Sequence, residues 1–206
     1  MTAIAFMQLA LIGLAVAAIF FAVAWLKSKT FTFHRLVLLT TFFTFDLILF
    51  GAFTRLTDSG LGCPDWPGCY GLSNPWAAIH DIRAAEIQMP SGPVTLSKDW
   101  IEMLHRYFAM GVGCLIIGIV AWSFIKRHST GIRDFWASLA ILLLVCWQGA
   151  FGAWTVTLKL QPIVVTTHLL LGLTLVASLA IFSMATSPIH VGFVNKYSGT
   201  NLLNWL

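Results

Sequence analysis

Long apolar runs separated by short polar segments dominate the chain. Hydrophobic residues make up 58% of it and charged residues only 10%, which excludes an ordinary soluble domain. Each run is about as long as a helix that crosses the hydrocarbon core of a bilayer. Since only helices and closed barrels satisfy their backbone in lipid, the pattern predicts an all-α, polytopic membrane protein with five transmembrane helices. The runs are Ala3–Leu26, Leu36–Phe53, Tyr107–Ile125, Phe135–Val156 and Ile163–Met184.

The order of these runs predicts how the chain is divided. We expect residues 1–30 to form an extra N-terminal transmembrane helix. They lack the charged segment with which a signal peptide begins. Helices two to five, within residues 31–185, are expected to form an antiparallel four-helix bundle. The long loop 54–100 is predicted to contain a short interfacial helix capped by Asn74. Residues 186–206 are predicted to be a cytoplasmic tail of a truncated chain.

Charge in the connecting segments predicts the orientation. Basic residues concentrate in segments 27–35 and 126–134, whereas the 54–100 loop has more acidic than basic residues. The positive-inside bias therefore places the two basic segments in the cytoplasm, and the N-terminus and the 54–100 loop outside. The net charge of +4 is spread over the chain rather than gathered in one patch, so it does not indicate nucleic-acid binding.

Two histidines stand where two helices are predicted to enter the membrane from the outside. His105 lies just before the third apolar run, and His168 lies near the start of the fifth. Ionisable residues at membrane depth are costly and usually functional. A pair at matching depth on facing helices would suit two axial ligands of a haem iron. The alternative is that each histidine only makes hydrogen bonds to a neighbouring helix.

Further polar residues surround this pair. Glu102 precedes His105 by three residues, so both lie on one helix face. Its carboxylate is interpreted either as a base or charge-stabilising group, or as a solvated acid at a helix start.

Cations and neutral polar residues complete the same layer. Arg55, Arg106 and Lys159 are candidate partners for haem propionates, with head-group anchoring as the alternative. Thr54 lies beside Arg55 at the end of helix two. Gln148 is predicted to touch a substrate or a neighbouring helix.

The outer loop also carries two cysteines, Cys63 and Cys69. Their spacing matches neither a C-x-x-C redox motif nor a common zinc pattern. In an outer loop, where disulfides persist, the sequence favours a disulfide over two free thiols.

Four motifs, in this order, resemble the haem A synthase family: "GAFTRLTDSGLGCPDWPGC", "EMLHR", "QGAFGAWTV" and "TTHLLLG". Together they span residues 51–172. The resemblance implies a bacterial inner-membrane enzyme that oxidises a ring methyl of haem O to the formyl group of haem A. It also implies haem O synthase and cytochrome oxidase assembly proteins as partners.

The resemblance implies a role for each matching position. His105 and His168 would be the haem-site ligands of the amino-terminal, catalytic bundle. Glu102 would be its catalytic carboxylate. Cys63 and Cys69 would be the disulfide pair of the outer loop.

The chain departs from this family in two respects. Typical members have two tandem bundles, and the second holds a haem b cofactor, whereas one bundle is predicted here. Either the chain is a truncated form, or two copies associate to replace the missing half. Asp46 also stands in the middle of helix two, where we expect it to face the bundle interior without an assigned role.

Three other functions fit parts of the pattern. A bis-histidine cytochrome that only carries electrons needs His105 and His168 but not Glu102. A membrane thiol oxidoreductase would use Cys63 and Cys69 and would not need His168. A non-catalytic assembly subunit would bind no haem.

Overall fold

A computed structural model describes residues 2–27, 31–90, 92–127 and 131–188. These ranges contain six helices and no sheet beyond one isolated bridge. The helices are α1 (Thr2–Leu26), α2 (Phe33–Leu56), α3 (Ile79–Gln88), α4 (Leu96–Ile125), α5 (Ile132–Thr157) and α6 (Pro162–Ala185). All except α3 are long and apolar enough to cross a membrane, which confirms the prediction of five transmembrane helices.

Helices α2, α4, α5 and α6 close a four-membered ring. Helix α2 packs against α4 and α6, and α5 packs against the same two helices from the other side. Helix α1 lies outside this ring, against α4. The predicted bundle of helices two to five is therefore confirmed, with the first helix as an addition to its edge.

The interior of the ring is apolar. Val37, Ile116, Ile141 and Leu179 come from its four different helices and belong to one buried cluster. Lipid tails are as apolar as these side chains, so close packing, rather than exclusion of water, holds transmembrane helices together. The complementary fit of the four faces is therefore the main source of cohesion at this depth.

Polar side chains inside the ring are satisfied locally. The hydroxyls of Thr40 and Thr44 donate to backbone carbonyls one turn earlier, at 2.9 and 2.7 Å. Ser123 of α4 and Ser138 of α5 share a hydrogen bond of 2.8 Å between their hydroxyls. Because an unpaired polar group in lipid is expensive, the serine pair ties the two helices together at this level.

Helix α4 begins much earlier than the apolar run that predicted it. The run starts at Tyr107, but the helix starts at Leu96, after Thr95 caps it by accepting a hydrogen bond from the Lys98 amide at 3.3 Å. An oxygen at this position satisfies one of the free amides of the first turn. The extension matters because it places Glu102 and His105 well inside a regular helix.

The loop helix is shorter than predicted. Asn74 accepts a hydrogen bond from the Ala77 amide at 3.0 Å, but the residues that follow form turns and α3 starts only at Ile79. Within α3, Ile82 is fully buried, whereas Ile87 is largely exposed. One side of α3 thus packs on the protein, and the other is open to its surroundings.

Asp46 does not face the bundle interior, contrary to expectation. Its exposed side chain lines a cavity of about 220 Å³ formed between α1, α2 and α4. Three of the other lining residues are Phe43, Phe50 and Phe108. Its position follows from helix rotation: the α2 face that carries Asp46 is turned toward α1 rather than toward the ring.

The predictions for the C-terminal tail, the domain boundaries and the orientation are untested. Of the predicted tail 186–206, residues 189–206 lie outside the described residues. The division at residues 30 and 185 and the orientation in the membrane stay predictions.

The α1–α4 contact gives a first test. A Cβ atom added at Gly13 would lie 2.9 Å from the Met110 carbonyl carbon, whereas Gly118 of α4 has open space. We expect Gly13→Ala to lower the thermal midpoint in detergent, since overpacking typically costs about 1–3 kcal/mol. Gly118→Ala, the control, should be neutral or slightly stabilising, because alanine favours helix over glycine. Equal midpoints by circular dichroism would contradict the packing of α1 on α4.

Candidate functional site

A loop closed by a disulfide packs against α4 and α1 at one end of the molecule. Cys63 and Cys69 are bonded, with their Cα atoms 4.8 Å apart, and both are 0% exposed. They belong to a small buried cluster with Leu9 of α1 and with Met103 and Tyr107 of α4. The predicted disulfide is therefore confirmed, and it is packed against the first turns of α4. We call residues 62–73 the disulfide loop.

The disulfide loop is folded tightly on itself. Cys69 and Leu72 exchange backbone hydrogen bonds of 2.8 and 3.0 Å. The Asp65 carboxylate accepts from the amides of Tyr70 and Gly71 at 2.7 and 2.6 Å. Tyr70 and Gly71 have positive φ angles of 53° and 73°, so the chain reverses there. An aspartate that accepts from following amides is a common way to fix such a turn.

The electrostatic environment of this turn is acidic. Burial raises the pKa of the Tyr70 hydroxyl, and the negative charges of Asp99, Asp81 and Asp65 add to the shift. Tyr70 therefore stays neutral and offers a hydroxyl rather than a phenolate.

A buried ion pair holds the disulfide loop to α4. Glu102 and Arg106, one turn apart, are 4% and 7% exposed, and Arg106 Nη2 donates to Glu102 Oε1. The other carboxylate oxygen of Glu102 accepts from the Cys63 amide at 2.8 Å. Both oxygens of the predicted catalytic carboxylate are thereby fixed in place.

Arg106 also binds the backbone of the disulfide loop. Its Nη1 donates to the carbonyls of Asp65 at 2.9 Å, Pro67 at 3.2 Å and, at shorter range, Gly68. These carbonyls and Glu102 occupy both terminal nitrogens of the guanidinium. In this arrangement Arg106 positions the loop, and its predicted contact with a haem propionate stays a prediction.

Two further contacts fix where the disulfide loop lies. The Tyr107 hydroxyl donates to the Ser73 carbonyl at 2.6 Å. Gly62 lies directly on α4, where an added Cβ would be 2.7 Å from the Lys98 carbonyl carbon. A larger residue at this position would push the loop off the helix, so glycine is required by space rather than by its backbone angles.

The bundle consists of two helical hairpins, α2 with α4 and α5 with α6, and each carries one predicted histidine beside a glycine. A Cβ added at Gly51 of α2 would be 3.0 Å from the His105 ring, and one added at Gly152 of α5 would be 3.1 Å from the His168 ring. Each imidazole is therefore lodged against a neighbouring helix of the bundle, His105 against α2 and His168 against α5.

The histidine nitrogens suit metal ligation. His168 Nδ1 lies 3.1 Å from the Gln148 carbonyl, which favours a proton on Nδ1 and leaves Nε2 free. His105 Nδ1 is buried and has no hydrogen-bond partner among the described residues. This donor set fits a bis-imidazole haem site. Iron binding itself stays a prediction.

The other predicted site residues differ in their exposure and in their hydrogen bonds. Thr54 is buried and donates its hydroxyl to the Phe50 carbonyl at 2.9 Å. Arg55 and Lys159 are exposed, near the ends of α2 and α5 at the same end of the bundle. The side-chain oxygen of Gln148 is buried and has no partner within the described chain. The roles predicted for these residues are untested.

Sequence reasoning missed Asp65 and Asp99. Asp65 lies in the "PDWPG" segment, where an aspartate before a turn was an available signal. Asp99 precedes Glu102 by three residues and so shares its helix face. Asp99 and the two cysteine sulfurs are spaced like metal ligands. The bonded cysteines, however, offer no thiolate to a metal.

These observations define a class of protein. It is a multi-pass helical membrane protein whose four-helix bundle holds one histidine on each hairpin and whose outer loop is closed by a disulfide packed on α4.

Comparison with known proteins gives the family. Residues 34–203 match the COX15-CtaA family, described as cytochrome oxidase assembly protein, and the chain belongs to this family. It is 43% identical over 153 residues to a heme A synthase of Shewanella oneidensis. It is 30% identical over 161 residues to one of Rhizorhabdus wittichii and 32% identical over 162 residues to one of Rhizobium rhizogenes. No solved structure matches the chain.

The matches cover most of this chain but less than half of each relative. The three alignments include 74%, 71% and 70% of the chain and 45%, 45% and 44% of the respective relatives. The bacterial relatives and the five apolar helices together indicate a multi-pass bacterial membrane protein.

The contacts of Arg106 predict a specific effect on the disulfide loop. Arg106→Lys keeps the charge but cannot reach Glu102 and several carbonyls at once, because lysine has one compact ammonium group. We expect amide hydrogen exchange in residues 62–72 to become at least about tenfold faster, equivalent to roughly 1.4 kcal/mol.

Arg83→Lys, on the exposed surface of α3, is the matched control and should leave these amides unchanged. If Arg106→Lys also left them unchanged, the ion pair would not be what holds the disulfide loop in place.

Proposed function

We propose that this chain is the haem-O-oxidising bundle of a haem A synthase. It would convert a ring methyl of haem O to the formyl group of haem A. The observation that carries the proposal is the paired arrangement of His105 against Gly51 and His168 against Gly152. The names of the relatives support the reaction, since those proteins are heme A synthases.

His105 and His168 would hold the haem substrate through its iron. Their two helices belong to opposite hairpins, so a ring between them would be gripped from both sides. The Gln148 carbonyl orients His168, because a hydrogen bond at Nδ1 fixes the direction of Nε2. Gly51 and Gly152 leave the space that a larger side chain would take from the two imidazole rings.

Glu102 would act on the substrate as a fixed carboxylate. It lies one turn before His105, and its oxygens are held by Arg106 and by the Cys63 amide. Such a group can accept a proton, or stabilise positive charge that develops on the substrate, without first reorganising. Arg106 compensates its charge in the ground state, which lowers the cost of burying the carboxylate.

Polar residues at the same end of the bundle would bind the propionates. Arg55 and Lys159 are exposed there, and Thr54 directly precedes Arg55 in α2. Exposed cations at a helix end keep their donors free for an anionic ligand. In this proposal the propionates would point toward the disulfide loop, and the ring would lie deeper in the bundle.

The proposal extends to cofactors and partners. Haem O and haem A would be substrate and product, and haem b would belong to a second bundle like the one in the family's longer members. This chain spans less than half of the length of its relatives, and the second bundle would be either a further part of a longer protein or a second copy. Haem O synthase and oxidase assembly proteins would be neighbours in the bacterial inner membrane, with the disulfide loop outside.

The histidine pair gives the first test. His105→Ala and His168→Ala should each lose stoichiometric binding of added haem b and haem O, measured by the low-spin visible spectrum of the purified chain. The control is His80→Ala, because the His80 side chain is exposed in the first turn of α3, and this variant should keep that spectrum. A bound low-spin haem in either bundle variant would show that the iron is held elsewhere.

Glu102 separates an enzyme from an electron carrier. A bis-histidine cytochrome needs the same two histidines but no carboxylate. We expect Glu102→Gln to retain haem and to lower haem A formation at least about 100-fold, the lower end of what a positioned acid or base contributes. The measurement is the amount of haem A relative to haem O, separated by chromatography after extraction from membranes that supply haem O.

Glu86→Gln, on α3, provides the control and should form haem A at the normal rate. Undiminished haem A from Glu102→Gln would remove Glu102 from the mechanism. Haem binding without any haem A in the unmodified chain would favour the carrier.

A further inference from the structure

Asp46 is an ionisable residue in the middle of a membrane helix, and the proposed haem chemistry does not use it. It lies ten residues before Leu56, the last residue of α2, which is about 15 Å along the helix axis and so near the centre of a bilayer core. Within the described part of the chain its carboxyl group forms no hydrogen bond or ion pair. Ionisable residues at this depth are costly and usually mark a binding site or a pathway.

The Asp46 side chain lines the cavity of about 220 Å³ between α1, α2 and α4. The other lining residues are all apolar: Phe20 of α1, Phe43, Leu47 and Phe50 of α2, and Phe108 of α4. Sites for small molecules typically combine such apolar walls with a few polar groups that orient the ligand. The cavity therefore suits an apolar ligand that carries a polar group for one carboxyl.

The aromatic walls of the cavity are fixed by contacts between rings. Phe20 stacks on Phe43, with ring centroids 4.2 Å apart, and so joins α1 to α2. Phe108 makes edge contacts with Phe43 at 5.8 Å and with Phe50 at 5.9 Å. Aromatic rings prefer stacked or edge-to-face contacts with other rings. These walls therefore favour a flat ring over a flexible chain.

The size of the cavity and its one acid narrow the choice of occupant. A cavity of about 150 Å³ is enough to hold a benzene ring. A helix of a second copy is about 10 Å across, so even one turn of it fills about 400 Å³ and does not enter. A lipid acyl chain would enter but would leave the Asp46 carboxyl without a partner. A single ring that bears oxygens meets both requirements.

We propose that this cavity binds the head group of an isoprenoid quinone or quinol from the membrane, with Asp46 as its hydrogen-bond partner. A neutral carboxyl group donates to a quinone carbonyl or accepts from a quinol hydroxyl, and an ionised one accepts only. The isoprenoid tail would leave through the open side of the cavity into lipid.

The bound ring would lie close to the candidate haem site. Phe50 lines the cavity and also contacts the His105 ring, with centroids 6.0 Å apart. The inference concerns binding alone, however, and does not depend on the proposed haem reaction.

Photolabelling of the purified chain in detergent, without haem, tests the site. The probe is a short-chain ubiquinone with an azide on its ring, and mass spectrometry locates the label. We expect the label on the cavity residues of α1, α2 or α4, and unlabelled short-chain ubiquinone should compete for it. Farnesol, which has an isoprenoid tail but no quinone ring, should not compete.

Asp46→Leu removes the carboxyl group and leaves an apolar side chain in the helix. We expect the half-saturating concentration of the azide probe to rise about tenfold, since one hydrogen bond to the ligand is lost. Thr174→Leu is the matched control, because Thr174 is an exposed polar residue within α6 and lies outside the cavity. This variant should be labelled like the unmodified chain.

Four results would overturn the proposal. The first is label spread over the exposed apolar faces of the helices rather than on the cavity residues of the unmodified chain. The second is competition by farnesol as strong as by ubiquinone, which would assign the cavity to a lipid chain. The third is a dimer whose cavity residues stay unlabelled, which would assign them to a second copy. The fourth is an unchanged half-saturating concentration in Asp46→Leu. The first three do not depend on the folding of any variant.

Discussion

The buried ion pair between Glu102 and Arg106 is the interaction on which this end of the molecule depends. Leaving either charge unpaired in a low-dielectric site would cost roughly 3–5 kcal/mol, so the two must stay together. Their remaining hydrogen-bonding capacity goes to the backbone of the disulfide loop, from the Cys63 amide to the carbonyls of Asp65, Pro67 and Gly68. The loop is thus held by charge-assisted hydrogen bonds, which are about twice as strong as neutral ones.

One stretch of α4 serves two regions at once. Glu102 and Arg106 turn toward the disulfide loop, whereas His105, between them in sequence, contacts Gly51 of α2 inside the bundle. Because a helix turns about 100° per residue, His105 lies about 60° around the helix from Glu102 and about 100° from Arg106, so one turn can contact both regions. The disulfide loop and His105 therefore share one turn of α4 as their support.

In both hairpins a glycine lies beside the histidine, but the glycine occupies a different position in the sequence of each. The tripeptide Gly-Ala-Phe occurs in both α2 and α5 and aligns Gly51 with Gly149. Gly149, however, has open space around it, and Gly152 is the residue beside His168. The equivalent contact has shifted by three residues, close to one helical turn. The internal repeat thus preserves a flat, side-chain-free surface next to each imidazole rather than a one-to-one correspondence of positions. Helices can slide by about a turn and still present the same kind of face.

The sequence alone determined the five membrane helices, the four-helix bundle and the disulfide, because hydrophobic length and cysteine context are local properties. It also placed Glu102 and His105 on neighbouring turns of one helix. Only the tertiary structure decided that Arg106 binds the disulfide loop, that Asp46 turns toward α1, and that Asp99 faces the sulfurs. Those outcomes depend on helix rotation and on where a long loop settles. Both are set by packing between residues far apart in the chain, which no local pattern encodes.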